Sequence, residues 1–264
     1  MSALHGEARR LLADRPSLLL IAAGGLIALA LTAGLALLGP EHMNPPMPGL
    51  GTPEGVRGSL GLLVLAAPVP FLLGSRSMTR EFEHGTIIPT LLAQPRRARL
   101  VGTKLAVMLG AGLAYGVVLA ACSWVGVELG AIAQGVELGL PRAEILRMAS
   151  GLGLGSALYT LLGAAVGALL QRSIWCLGAA IGWLYLGESL IPALPGGAHL
   201  YPWMPGGAAS SLTGYSFIAE GLSATLGSDP VRLLPAWAGI SVLLAYAGVA
   251  VAVAFATTLR RDIR

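Results

Sequence analysis

The sequence is short of charge, of cysteine and of long polar stretches. Asp, Glu, Lys and Arg make up 11% of its 264 residues, well under the roughly 25% of soluble domains. That balance excludes a disordered chain and a charged coiled coil. The two cysteines, Cys122 and Cys176, lie in apolar runs. They exclude a disulfide scaffold and a cysteine metal cluster, and read as small helix-packing residues. No G-x-x-x-x-G-K-[ST] phosphate loop occurs; the nearest string, Gly102-Thr103-Lys104, has the wrong order. The four histidines, His5, His42, His84 and His199, lie between the apolar runs, which carry no nucleophile motif. The expectation is therefore no enzyme, no catalytic residue, and no metal or cofactor held by this chain. Any ATP and Mg used must sit on another subunit.

What is plentiful is apolar. Hydrophobic residues reach 55%, with 37 glycines and a mean hydropathy of +0.75. The fold class expected is an all-α integral membrane protein with one transmembrane domain over residues 1–264. A crossing helix needs about 20 mostly apolar residues. Six stretches qualify, at about 17–38, 59–75, 100–127, 148–170, 174–194 and 233–259. The second carries Pro68 and Pro70, which predict a kink. The third is long enough to project beyond the hydrocarbon. The first exceeds the 7–15 apolar residues of a signal peptide, so it is expected to remain as a span.

Charge sets the orientation. Thirteen basic residues fall at the N-terminus, in 76–104, at Arg172 and after Leu259; four, Arg57, Arg142, Arg147 and Arg232, fall on the other side. Short basic loops face the cytoplasm, so both termini are expected inside. Residues 1–16 predict an amphipathic interfacial helix, with Leu4, Ala8, Leu11 and Leu12 on one face and Glu7, Arg10 and Asp14 largely elsewhere. The first outer loop, 39–58, is proline-rich and reads as an irregular connector. The outer segment 195–231 holds Tyr201, Trp203, Tyr215 and Phe217. It suits short interfacial or re-entrant helices buried against protein, or an ordinary surface loop.

The cytoplasmic loop 76–99 is organised. Arg80 and Glu83 are spaced for an i,i+3 pair. Gly85 ends a helical turn, Thr86 can cap another, and Pro89 fits its first turn. Ile87, Ile88, Leu91 and Leu92 are apolar, Pro95 stops the run, and Arg96, Arg97 and Arg99 meet the headgroups. From these residues alone, docking to a partner and simple topology-setting weigh evenly.

The stretch Arg80-Glu81-Phe82-Glu83-His84-Gly85-Thr86, followed by Leu91-Leu92, Pro95-Arg96 and Lys104, resembles the first cytoplasmic loop of the ABC type-2 transporter permeases. Glu188 and Pro202-Trp203-Met204-Pro205-Gly206-Gly207-Ala208-Ala209 also look like that family. The resemblance implies the transmembrane permease subunit of a bacterial ABC exporter in the cytoplasmic membrane. It implies two permease copies, or a copy and a sister permease, each docked on a cytoplasmic ABC ATPase subunit. It places ATPase coupling at Arg80, Glu81, Glu83, Gly85 and Thr86. The expected cargo is hydrophobic or amphipathic, such as a drug, lipid or peptide, because few charges lie within the spans.

Glu188 falls in the outer third of the fifth span and is a candidate for the substrate path or an outer gate; a structural role is favoured two to one. The alternative function is an ion-coupled secondary transporter or channel with Glu188 on its path. Glycine pairs at four-residue spacing (Gly112/Gly116, Gly126/Gly130, Gly151/Gly155, Gly163/Gly167 and Gly178/Gly182) predict close helix packing and a dimer, with some pairs arising by chance.

Overall fold

The computed structural model describes residues 3–42, 47–86, 97–194, 196–216, 219–221 and 231–257. Every regular element among them is helical. Helix α1 covers Ala3–Ala13, and α2 runs Arg15–Leu38. Asp14 takes an extended conformation between them, with Pro16 in the first turn of α2, where its missing N–H costs nothing. Helix α3, Pro53–Gly61, starts inside the expected irregular loop. Its cause is local: Thr52 Oγ1 accepts from Gly55 N–H at 3.2 Å, and Pro53 follows the cap. A 3-10 stretch, Leu62–Ala66, leads to α4, Pro68–Glu83.

Helix α5 is Arg97–Gln134, α6 is Arg142–Leu170, and α7 is Ser173–Ala179. A π-helical stretch, Ala180–Gly187, continues α7 and passes into short turns ending at Ala193. After further short turns come α8, Pro205–Thr213, and α9, Ala236–Thr257.

Among the described residues four helices are long and apolar enough to cross a membrane: α2, α5 from Val101, α6 and α9. The two remaining expected crossings are helical but segmented. The stretch expected at 59–75 is divided at Ala67, beside the two prolines. The stretch expected at 174–194 changes helix type three times. Leu19, Leu26, Leu38, Val117, Ile132, Trp237 and Val249 are all more than 60% exposed. Such wide apolar exposure suits lipid rather than water.

Helix α6 is the central post. Of its apolar stretch 72% is buried, against 28% for α2 and α9 and 33% for α5. It packs on α4, α5, α8 and α9. Small residues permit that crowding. A Cβ on Gly163 would lie 1.9 Å from the Phe71 carbonyl oxygen, and one on Gly74 would lie 1.8 Å from that of Thr160. Helices α4 and α6 therefore touch backbone to backbone. Gly112 and Gly116 bring α5 equally close to α6, and Gly126 and Gly130 bring it to α2. A Cβ on Gly178 or Gly182 would meet nothing within 4 Å among the described residues, so that pair seats no neighbouring helix there.

Candidate functional site

Two buried polar clusters stand out, one at each end of the bundle. At the end that carries α1, Lys104 of α5 is 2% exposed. Its Nζ lies 2.6 Å from Glu7 Oε1 of α1 and 2.8 Å from Glu81 Oε1 of α4. Arg10 joins at 3.5 Å from Glu7 and 3.8 Å from Glu81. One turn further along, Asp14 pairs with Arg80 and accepts from the Ser17 hydroxyl. Burial pulls the Asp14 pKa up, but Ser17 and Arg80 together outweigh it and hold the carboxyl below its ordinary value. Three carboxylates thus meet three cations, joining α1, α4 and α5 in a clasp.

The expected coupling residues divide at this clasp. Glu81 is buried within it, with Oε2 left without a hydrogen-bond partner, while Arg80 is partly exposed. Arg80 and Glu83 engage distant partners rather than each other. Glu83 accepts from the Ser173 backbone N–H at 2.6 Å and from its hydroxyl at 3.0 Å. The Ser173 backbone bond, with its hydroxyl, holds the Glu83 carboxyl below its ordinary range. This carboxylate ties the end of α4 to the first residue of α7. Gly85 has φ +66° in the turn after α4, the left-handed geometry that glycine takes freely. Thr86 is exposed beside it. The expected second helical piece, Ile87–Pro95 with Arg96, lies outside the described residues.

Helix α1 is where expected, with its faces differently used. Glu7 and Asp14 turn toward the bundle, while Leu12 is 66% exposed. Polar pairing docks this helix more than an apolar stripe does. Sequence reasoning missed Glu7, Asp14 and Ser173 as partners. The signal for Glu7 was the single lysine of the chain, a cation that needs a carboxylate if buried.

At the opposite end, Glu188 is 1% exposed. Its Oε2 accepts the Gly206 backbone N–H in the first turn of α8. That N–H has no partner within the helix, and the helix dipole favours a carboxylate there. Glu188 Oε1 is buried without a partner. Helix α8 is itself buried, and glycines seat it. A Cβ on Gly151 would lie 2.2 Å from the Leu212 carbonyl oxygen, and one on Gly239 would lie 2.5 Å from that of Ala208. Tyr201 shares a 3.1 Å hydrogen bond with Ser216. The segment expected outside the membrane is a set of short helices through Thr213, with Tyr201 and α8 buried and Leu200 and Trp203 exposed; Pro195, Phe217, Ile218 and residues 222–230 lie outside the described residues. A cavity of about 40 Å³ borders α8 between Leu63, Leu119, Ser156, Tyr159 and Ser210, room for two or three waters.

No protein-family model matches the chain, and no curated protein is similar to it. Among the described residues no cluster of His, Cys, Asp and Glu could hold a metal ion.

Proposed function

We propose that the chain is the membrane-spanning permease subunit of an ABC export system. In this reading the segmented stretches 53–83 and 173–194 complete six crossings with α2, α5, α6 and α9. Both termini face the cytoplasm of a bacterial cell, and a separate ATPase subunit hydrolyses ATP. The observation that carries the reading is the position of the charged run 80–86. It ends a helix that lies backbone to backbone on the central post and is clamped by Glu81 and Arg80 to α5 and α1. A force applied to Gly85 and Thr86 passes into α4, and from there into α6 and α5. That is the mechanical path a coupling loop needs. Motion on one side of the membrane becomes rearrangement of the bundle, with the cargo moving between two permease copies. The cargo fits the hydrophobic or amphipathic class, because among the described residues no charged side chain lines the cavity beside α8.

The reading of Glu188 as a point on an ion path gains little support from its burial against Gly206, which suits a structural cap. The deciding experiment is affinity purification of the chain from native membranes in mild detergent, with mass spectrometry of its companions. A stoichiometric ATPase carrying a Walker motif is expected. Its reproducible absence beside an intact, folded permease would refute the reading.

A further inference from the structure

The charges at the cytoplasmic end do not cancel, and the imbalance falls in one place. Each of the four described carboxylates there is occupied: Glu7 and Glu81 by Lys104 and Arg10, Asp14 by Arg80, and Glu83 by Ser173. Arg9 and Arg15 are exposed and make no ion pair among the described residues. They flank Leu12, itself 66% exposed. On α1, residues 5, 9 and 12 share the face opposite Glu7 and Leu11, by the 3.6-residue period. His5, Arg9 and Leu12 are all exposed on that face, while Glu7 and Leu11 are turned in. Past the corner at Asp14, the exposed apolar surface continues with Leu18 at 41% and Leu19 at 68%.

A water-facing surface has no use for this continuous apolar strip, and a hydrocarbon-facing one has no use for the arginines. Together they fit the boundary between the two. We infer that α1 and the start of α2 form a docking surface for anionic phospholipid headgroups, with Arg9 and Arg15 on the phosphates and Leu12 in the upper acyl region. The chemistry is charge complementarity joined to shallow apolar insertion. The clasp gives the surface its sign. It consumes the carboxylates of this end and leaves arginines outside. The inference needs the chain to lie in a bilayer and is independent of any ATPase.

The test uses the full-length protein in nanodiscs of phosphatidylcholine alone or with phosphatidylglycerol. Hydrogen exchange of the α1 amides is the readout, with native mass spectrometry counting retained phosphatidylglycerol. Phosphatidylglycerol is expected to slow α1 exchange in the parent protein. The double variant Arg9→Gln/Arg15→Gln is expected to lose that protection and to retain phosphatidylglycerol about fivefold less per arginine removed. Arg142→Gln, an exposed arginine at the other end of the molecule, is expected to behave as the parent. Equal α1 exchange in the two lipids would overturn the inference. So would equal loss on Arg142→Gln, or restoration of protection in phosphatidylcholine by inorganic phosphate alone.

Discussion

The two ends of the bundle each bury a carboxylate and answer it differently. At the end that carries α1, Glu81 meets a lysine more than twenty residues further along the chain and is bridged to α1. At the opposite end, Glu188 meets a peptide N–H from the same local hairpin. The first arrangement joins three separate segments through full charges. The second closes one short fold-back through a dipole. Removing one partner should therefore spread through the molecule at one end and stay local at the other.

Changes at either end would break or sharpen that contrast. Lys104→Met removes the buried cation and leaves Glu7 and Glu81 with Arg10 alone, at the longer distances of 3.5 and 3.8 Å. It should cost about 3–5 kcal/mol, read as a drop in the unfolding midpoint of the purified protein in detergent. Adding Glu7→Gln and Glu81→Gln should recover much of the loss, because the penalty lies in the uncompensated charge. Failure to recover would mean that Lys104 acts mainly through packing. Glu188→Ala should cost about 1–3 kcal/mol by leaving the Gly206 N–H unsatisfied. Glu188→Gln retains an acceptor and should cost under about 1 kcal/mol, with raised hydrogen exchange confined to 188–213.

The smallest effect is expected at Glu83, which is exposed. Its pKa is depressed below the ordinary 4.5. Its stabilising contribution is therefore complete above pH 4.5 and fades as pH falls through the lower folded value. A melting series from pH 7 downward should show this loss in the parent protein, and a flatter profile in Glu83→Gln.

The same contrast explains what the sequence revealed. Apolar runs placed α2 and α9 within three residues, since length and hydropathy suffice for an unbroken crossing; α5 runs seven residues past the expected end and α6 starts six before the expected beginning. Pro68 and Pro70 announced the division of the second stretch, and Gly85 announced the turn after α4. The π-helical passage at Ala180–Gly187 carried no such punctuation. Arg80 and Glu83 showed where polar chemistry gathers but not with whom. Local spacing pointed them at each other, whereas the fold offered Asp14 and Ser173. Leu12 misled for the same reason. A helical wheel ranks faces by polarity, and burial of Glu7 beside Lys104 reversed that rank. Glu188 was legible as an oddity within a span; its partner is a backbone group, which no side-chain pattern records.

Helix α5 carries one further consequence. Its 38 residues make a rod of about 57 Å, nearly twice the hydrocarbon thickness of about 30 Å. Near its start Lys104 grips α1 and α4; at its last residue Gln134 Nε2 donates to the Ala36 carbonyl of α2 at 2.6 Å. The fastenings are thirty residues apart, or about 45 Å. A rod held near both ends behaves as a lever: a tilt of about 5° about the inner fastening sweeps the outer one through about 4 Å. Gln134 and the Ala36 carbonyl could not stay bonded through such a sweep unless α2 swung along with it.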